Sequence, residues 1–384
     1  MKEIQGFTNA NIVYKDGVRK GSLTIQEGKI LSLECQEGIS LPDYLFLSPG
    51  FIDQHIHGAN HFDAMDGEVS SLEGIANILP QEGVTSFNAT TMTMDVPSIE
   101  KALRAINEYM AKPRNGARII GAHLEGPFIS PKHPGAQDPK YILKPDAKLF
   151  AHFDGLSGHH INEVTLAYEE GGEELLAYCV EHHITASIGH SDCSSELFKK
   201  AVKEGLHCVT HLFNAQRGFH HREPGIVGEA LLTDGVKVEI ICDKKHCTED
   251  AFALAFKSKK KEDIILITDA CQGKYLAPGK YQLGGNDIYI YDGVAHLEDG
   301  TIAASILKLN EALKNVSSVA KGYSFADLIN CVSYNVAKNL GWEDKIGSIA
   351  PGLCADFAII DKDFNVYATI VGGKLVYEKE GFHL

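Results

Sequence analysis

Residues 45–58, LFLSPGFIDQHIHG, join an apolar strand-like run to two histidines and a glycine. Side chains of an extended strand alternate between its two faces, so His55 and His57 lie on the same side and can bind one metal ion. A His-x-His pair alone is weak evidence, because two exposed loop histidines would read the same. The fold is decided by the recurrence of this arrangement along the chain.

Candidate metal ligands follow four further apolar runs. They are Glu125 after RIIGAHL, His190 after TASIG, His211 after CVT and Asp269 after IILIT. Imidazole nitrogens and carboxylate oxygens are the ligands that many divalent metals prefer. Each residue alone is more often structural, as a cap or in a buried ion pair. Together they indicate a parallel barrel, the fold that brings many strand ends to one mouth.

Strand-like and helical patterns alternate through the middle of the chain. The eight candidate strands lie near residues 50–56, 84–90, 118–124, 161–167, 184–189, 207–211, 236–242 and 264–268. Such alternation predicts right-handed βαβ units and a parallel sheet. We therefore predict an α/β fold with a (β/α)8 TIM barrel. An open doubly wound sheet would need a Gly-rich loop after its first strand, and SPGFIDQHIHG is not one.

The two chain ends have a different character. Residues 1–49 and 346–384 contain short β-like segments separated by Asp-Gly, Glu-Gly and Gly-Gly turns. Neither end is long enough to close a core alone. We expect both to pair into one small β-sandwich domain, with residues 50–345 as the catalytic barrel.

The composition excludes several classes of function. With 36 basic and 51 acidic residues the formal net charge is −15, which argues against binding to nucleic acid or to an anionic membrane surface. We find no apolar run long enough to span a bilayer and no secretory signal pattern. The nine cysteines contain no CxxC pair, which fits a reducing cytoplasm.

Two of the candidate residues have roles beyond a simple ligand. Glu125 can bind one metal or bridge two. Asp269 can bind metal, take a proton from a metal-activated water, and return that proton to a leaving amine. Two further features beside the predicted mouth are suited to an anionic substrate. They are the basic segment 219–225, FHHREPG, which with Arg217 could hold a phosphate or carboxylate, and His246 after the seventh strand.

Several longer motifs make the pattern more specific. They are PGFIDQHIHG, GVTSFNATT, GAHLEGPFISP, GHSD, THLFNA, HHREPG, ITDA, DGTIAAS and a closing G-x-x-x-x-G-x-x-A-D-F. In these motifs the chain resembles, from end to end, the N-acetylglucosamine-6-phosphate deacetylases of the amidohydrolase superfamily. The first and last motifs alone would indicate only the superfamily.

This resemblance implies a metal-dependent hydrolase that converts N-acetyl-D-glucosamine 6-phosphate to D-glucosamine 6-phosphate and acetate in amino-sugar catabolism. It implies a divalent metal on Glu125, His190 and His211. A second metal would lie on His55 and His57, bridged by Glu125. Zinc is the expected metal, at one or two per subunit, with Fe²⁺, Mn²⁺ and Co²⁺ as alternatives. Asp269 would be the catalytic base and then acid.

The resemblance also implies how the substrate is held. The sugar phosphate would contact Asn214, Ala215 and His246, and Gln137 stands where some members carry a substrate-contacting histidine. Arg222 matches an arginine that family dimers donate to the neighbouring subunit's phosphate site, so a homodimer is implied. The chain departs from the family pattern in mouth loops at 59–61, 244–245, 271–273 and 303–304, which bear on the exact sugar.

Three alternatives stay open on the sequence. The galacto epimer, N-acetylgalactosamine 6-phosphate, would undergo the same reaction. A cyclic amide hydrolase of the dihydroorotase or hydantoinase kind usually carries a bridging lysine at the end of the fourth strand, where this chain reads VTLAYEE. A non-catalytic sugar-phosphate-binding protein would have no need of a base such as Asp269.

Overall fold

The computed structural model describes residues 2–384. In chain order its strands are β1 Gly6–Tyr14, β2 Gly17–Gln26, β3 Lys29–Ser32, β4 Ile39–Ser40, β5 Leu45–Pro49, β6 Phe51–Ile56, β7 Gly58–Ala59, β8 Phe62–Asp63, β9 Val84–Thr90, β10 Arg118–Glu125, β11 Ile161–Leu166, β12 Thr185–Ile188, β13 Cys208–Val209, β14 Lys237–Ile241, β15 Ile264–Ile267, β16 Gly279–Leu283, β17 Asn286–Tyr291, β18 Val294–His296, β19 Ile302–Ser305, β20 Phe357–Asp361, β21 Val366–Val371 and β22 Lys374–Glu378. The α-helices are α1 Val69–Ile78, α2 Val96–Met110, α3 Ala147–Leu156, α4 Glu173–Glu181, α5 Ser195–Lys203, α6 Gly225–Leu232, α7 Glu249–Ser258, α8 Leu309–Ser317, α9 Phe325–Asn330 and α10 Tyr334–Asn339.

Eight parallel strands form the barrel, in the order β6-β9-β10-β11-β12-β13-β14-β15. The helices α1 to α8 follow them one by one along the chain. These strands are buried along almost their whole length, because one face fills the barrel and the other packs on helices. The prediction of a (β/α)8 barrel is confirmed.

The first and last strands of the barrel meet at a seam. At the mouth the Asp269 N–H donates to the carbonyl of His55 at 2.8 Å. Further down, residues 331–332 lie between the two strands and accept hydrogen bonds from the N–H groups of Ile52 and Leu266, at 2.7 and 2.9 Å. The barrel is therefore closed directly at its mouth and through the segment between α9 and α10 below it.

Strands from both chain ends form one mixed sheet, in the order β22-β21-β20-β5-β1-β2-β3, with β4 beside β1. Strand β5 lies between β1 and β20, so the two ends are in direct contact. Phe7 and Phe357 pack edge to face in its core, with ring centroids 6.0 Å apart. The division into folding units at 49/50 and 345/346 stays a prediction.

A small antiparallel sheet, β16 to β19, is inserted between β15 and α8. Its inner face packs around Leu283, Ile288 and Ile290 and against Met92 and Cys271 of the barrel loops. Because β19 runs beside the loop after β15, the insertion lies at the mouth of the barrel. Within residues 2–384 we find no helix that has both the length and the hydropathy of a membrane span.

One ion pair is fully buried behind the mouth. Lys274, in the loop after β15, lies 2.6 Å from Glu82, which precedes β9, and neither side chain is exposed. Glu82 also accepts hydrogen bonds from the Tyr275 hydroxyl at 3.1 Å and from the Leu309 N–H at 2.5 Å. The pair thus connects the loop that follows Asp269 to the segment that precedes β9.

We expect Lys274→Met to lower the free energy of unfolding by about 3–5 kcal/mol, because it leaves the Glu82 charge buried without a partner. Adding Glu82→Gln should restore much of that loss, which urea denaturation would measure. Lys200→Met, which breaks the exposed pair with Glu173, is the matched control and should cost less than about 1 kcal/mol. If Lys274→Met were as stable as Lys200→Met, the buried pair would contribute no more than a surface pair.

Candidate active site

Six side chains predicted as ligands come together at the mouth of the barrel. They are His55 and His57 at the end of β6, Glu125 at the end of β10, His190 after β12, His211 after β13 and Asp269 after β15. They converge because the carboxyl ends of all barrel strands point to the same mouth. All six are buried, and Asp269, the most exposed, shows 9% of its surface.

Glu125 is at the centre of this group. Its Oε1 lies 3.2 Å from Nε2 of His190 and 3.1 Å from Nε2 of His211. Its Oε2 lies 3.3 Å from Nε2 of His57, and Oε1 is 3.5 Å from Nε2 of His55. One carboxylate therefore contacts all four histidines.

Asp269 faces the histidine pair from the other side. Its Oδ1 lies 3.1 Å from Nε2 of His57 and 3.5 Å from Nε2 of His55. The carboxylate also borders the open pocket, so it can contact both the histidine pair and a bound molecule.

The donor atoms fit a site for one or two metal ions. The group of His55, His57 and Glu125 and the group of Glu125, His190 and His211 each have their ligand atoms within 4.8 Å of one another. The two groups share Glu125. The Nε2 atom of His55 is buried between Glu125 and Asp269 and has no hydrogen-bond partner in the described chain. A buried nitrogen without a partner, directed at two carboxylates, is what a metal ligand requires.

The site holds an excess of negative charge. Glu125 and Asp269 form ion pairs only with histidines among residues 2–384. Burial alone would lower the pKa of His57, but hydrogen bonds with Asp269 and Glu125 raise it to about 9. Burial alone would raise the pKa of Glu125, and the adjacent His55 and the bonds from His190 and His211 instead hold it well below its ordinary value. Protons or metal ions are needed to balance these carboxylates.

Three of the six residues have an unusual backbone conformation. His190, His211 and Asp269 have φ of 47°, 31° and 48°, in the left-handed region that residues with a side chain rarely adopt. Each lies at or near the point where the chain leaves its strand, and the turn directs the side chain into the mouth. Gly126, next to Glu125, also has a positive φ of 73°, and a Cβ there would lie 2.0 Å from the Thr93 hydroxyl. Such strain concentrates at functional sites.

The structure adds buried polar residues that the sequence reasoning did not single out. His55 Nδ1 lies 3.0 Å from Glu239, in the middle of β14, and His123 Nε2 lies 2.8 Å from the Thr165 hydroxyl. Burial, followed by the nearby His55, holds the pKa of His123 well below its ordinary value. The available signal for Glu239 was a carboxylate between the apolar residues of the run VEII.

Asp53 lies directly beneath the histidine pair. Its Oδ2 accepts a hydrogen bond from the Thr268 hydroxyl at 2.6 Å, so it joins β6 to the residue before Asp269. Burial raises the pKa of Asp53 to about 6, although the Lys274 charge and the bond from Thr268 oppose the shift.

A cavity of about 340 Å³ opens above the six side chains, within the range of about 300–1,000 Å³ usual for small-molecule pockets. Its lining residues are His57, Met92, Glu125, Gly135, Ala136, Gln137, His190, His211, Asn214, Ala215, His246, Asp269, Thr301, Ile302 and Ala303. No lysine or arginine is among them. The inserted sheet contributes 301–303, a segment that overlaps one of the departures from the family pattern.

Four of the five predicted substrate-binding residues line this cavity: Gln137, Asn214, Ala215 and His246. Gln137 donates from Nε2 to Glu125 Oε2 at 2.9 Å and accepts from the Thr93 N–H at 2.7 Å, so its amide is engaged with a candidate ligand. His246 Nδ1 lies 2.6 Å from Asp243, which leaves Nε2 for the pocket. The Asn214 N–H already donates to the His211 carbonyl at 3.0 Å.

The two candidate arginines lie outside the cavity of their own chain. Arg222 is exposed on the loop before α6, where its Nη1 lies 3.0 Å from Nε2 of His221. Arg217 forms an ion pair with Asp192 at 2.8 Å, and this bond holds the pKa of Asp192 far below its ordinary value. Neither side chain supplies a cation to the pocket in a single chain.

Known proteins are similar to this chain over nearly its whole length. A model of the amidohydrolase family matches residues 46–376. N-acetylglucosamine-6-phosphate deacetylase of Bacillus subtilis (strain 168) is 39% identical over 379 residues, which cover 96% of each chain. N-acetylgalactosamine-6-phosphate deacetylase of Escherichia coli O157:H7 is 30% identical over 355 residues, covering 92% of this chain and 94% of that one.

A solved structure agrees with the fold. The crystal structure of N-acetylglucosamine-6-phosphate deacetylase from Thermotoga maritima has a TM-score of 0.89 at 36% identity and covers 97% of this chain and 100% of that one. The match of the family model to most of the chain, the near-complete coverage of these relatives and the shared fold lead to one conclusion. The chain belongs to the amidohydrolase family.

Proposed function

We propose that this protein hydrolyses the acetamide of N-acetyl-D-glucosamine 6-phosphate to D-glucosamine 6-phosphate and acetate, in amino-sugar catabolism. The observation that carries the proposal is the group of four histidines around Glu125, with Asp269 facing them at the floor of a small-molecule pocket. The similarity to N-acetylglucosamine-6-phosphate deacetylases over almost the whole chain supports the choice of substrate.

The ligand set would hold one or two divalent metals. Glu125, His190 and His211 would hold one, and His55, His57 and Asp269 would hold another, with Glu125 between them. The mixture of imidazole and carboxylate donors favours zinc, with Fe²⁺, Mn²⁺ or Co²⁺ as alternatives. A bound metal would supply a Lewis acid for the amide carbonyl and would lower the pKa of water.

Asp269 would move the proton. Its carboxylate borders the pocket, so it can accept a proton from the attacking water and deliver it to the amide nitrogen as the C–N bond breaks. His57, 3.1 Å from its Oδ1, would orient it. Gln137 would keep Glu125 oriented through the 2.9 Å bond to Oε2.

The phosphate needs a cation that the chain's own pocket does not contain. Of the lining residues, His246, Asn214 and Ala215 are the candidates for direct contact with the sugar phosphate. Arg222 is exposed and paired only with His221 within its own chain. We infer that the protein is a homodimer in which Arg222 reaches the phosphate in the neighbouring subunit's site, where it can form a charge-assisted bidentate bond.

A second substrate is N-acetylgalactosamine 6-phosphate. This alternative is supported by the similarity to N-acetylgalactosamine-6-phosphate deacetylase of Escherichia coli O157:H7. The departures at 244–245 and 303–304 lie at the mouth, where βα barrels set specificity. Measurement of kcat/KM on both sugar phosphates would separate the two epimers.

We also infer that the protein works in the cytoplasm. All nine cysteines are free, and seven of them are buried. A protein of an oxidising compartment with nine cysteines would be expected to form disulfides.

The metal site makes a first prediction. Glu125→Gln should lose both metal ions, because both groups share this carboxylate, whereas His57→Asn should lose only one. Elemental analysis of each purified variant, beside the wild-type protein and an acetate-release assay, would count the ions. If Glu125→Gln kept the full wild-type metal content, Glu125 could not be the shared ligand.

A second prediction concerns Asp269. Asp269→Asn should keep the fold and the metal on Glu125, His190 and His211 but lower kcat by about 10²- to 10⁴-fold, because an amide cannot take the proton from water. The assay is acetate release, with circular dichroism to check the fold. Asp154→Asn is the control, because Asp154 is a buried aspartate on α3 that does not line the cavity. A loss smaller than about tenfold would assign the base to another residue.

A third prediction concerns Arg222. Arg222→Ala should lower kcat/KM on the phosphorylated sugar by roughly 10- to 150-fold, the equivalent of about 1.5–3 kcal/mol for a charge-assisted bond. The slow turnover of unphosphorylated N-acetylglucosamine should be spared. Arg104→Ala, at an exposed arginine of α2, is the matched control. Equal losses on both sugars would mean that Arg222 supports the fold or the dimer.

Mixing subunits tests the donation itself. Neither Arg222→Ala nor Asp269→Asn homodimers should be fully active on the phosphorylated sugar. In a hybrid dimer, the site with an intact Asp269 receives Arg222 from the other subunit. Random exchange should therefore restore activity to about a quarter of the wild-type value. No recovery after exchange, shown by mass spectrometry, would place Arg222 in its own subunit's site or outside both.

A further inference from the structure

Glu239 lies in β14, a barrel strand that supplies none of the six candidate ligands. Its side chain is fully buried in the barrel. Its Oε2 lies 3.0 Å from Nδ1 of His55 and accepts a hydrogen bond from the His211 backbone N–H at 3.2 Å. One carboxylate oxygen thus contacts a member of each metal group.

The contact with Glu239 decides which nitrogen of His55 is free. Because Nδ1 is 3.0 Å from the carboxylate, a neutral His55 would carry its proton on Nδ1, where it donates a hydrogen bond to Glu239, and Nε2 would be free to bind a metal. That Nε2 is directed towards Glu125 and Asp269, 3.5 Å from each, and has no hydrogen-bond partner in the described chain. A histidine held by a carboxylate in this way is a stronger and better oriented metal ligand.

We propose that Glu239 is a positioning residue that makes His55 a metal ligand. The inference rests on the proposed function, because it concerns the metal site of that enzyme. Without the carboxylate, the His55 ring is free to turn or to protonate at Nε2. The group of His55, His57 and Glu125 would then lose affinity. The group of Glu125, His190 and His211 would keep its metal, because Glu239 contacts only the backbone of His211.

The surroundings hold Glu239 in one orientation. Its Oε1 accepts from Gln54 Nε2 at 2.7 Å, and the Gln54 amide oxygen accepts from Asn339 Nδ2 at 3.2 Å. Gln54 Nε2 also lies 3.3 Å from Glu163, a second buried carboxyl group. Burial and the adjacent Glu239 raise the pKa of Glu163 well above its ordinary value.

Glu163 supplies a matched control. It has the same residue type, the same complete burial and the same neighbour Gln54, but within residues 2–384 its side chain forms no hydrogen bond to a candidate metal ligand. The test compares Glu239→Gln with Glu163→Gln. Purified proteins are dialysed against graded concentrations of free Zn²⁺, and the bound metal is measured by elemental analysis. Cobalt-loaded samples give a second readout, the visible absorption of the ion.

We expect two metals in the wild-type protein and in Glu163→Gln. Glu239→Gln should bind one of the two metals about 10- to 100-fold more weakly, which is the typical effect of losing a hydrogen bond that orients a metal ligand. Glu239→Asp keeps the carboxylate but places it farther from His55 Nδ1, so it should give an intermediate affinity. Unchanged zinc affinity in Glu239→Gln, or an equal loss at both sites, would overturn the role of Glu239. A wild-type protein that binds a single metal and still releases acetate would also overturn it, while leaving the deacetylase function intact.

A second measurement needs no variant, in case Glu239→Gln does not fold. A crystal structure of the zinc-loaded wild-type protein should show His55 bound through Nε2, with Glu239 within hydrogen-bond distance of Nδ1. Binding through Nδ1, or a Glu239 turned away from the ring, would refute the proposal. A protein that binds two zinc ions in this way but releases no acetate would refute the proposed function alone.

Discussion

The backbone N–H of Asp269 donates to the carbonyl of His55, and this bond joins the last strand of the barrel to the first. It fixes the position of Asp269 along the barrel axis relative to His55 and His57. The Asp53 side chain, bonded to Thr268, adds a second connection one residue below. A shift of either strand by one residue would turn its side chains to the opposite face. The contacts of Asp269 with His55 and His57 depend on this closure.

The barrel and the meeting of the six candidate ligands at its mouth could be predicted from the sequence, for a topological reason. Strands β6 and β9 to β15 begin and end within a few residues of the eight predicted segments, because alternation of apolar runs and helices is a local property. Once the sheet is parallel, residues at strand ends must meet, so His190 and Asp269 could be placed together without a structure. Glu239 and His55 could not, because Glu239 lies in the middle of β14 and its partner lies on β6, which is not a neighbouring strand. The phosphate contact proposed for Arg222 would lie in a second chain, which a single sequence does not describe.

The barrel interior carries an electrostatic cost that a purely structural core would avoid. Glu163 and Glu239, both fully buried, share Gln54, and four histidines surround Glu125. Replacing such groups with hydrophobic residues of similar size often stabilises a protein. The left-handed backbone at His190, His211 and Asp269 adds further strain. Both features are concentrated on the side of the barrel that faces the pocket, and the buried Lys274–Glu82 pair lies just behind it.

The pairing of the two chain ends has a consequence for folding during synthesis. Strand β5 pairs with β1 on one side and with β20 on the other, and β20 is synthesised after the whole barrel. Until then β5 presents an open edge to which a neighbouring nascent chain can add a strand. Contacts between residues so far apart in sequence also form slowly. The strand that covers the second edge of β5 is therefore made only after all eight strands of the barrel.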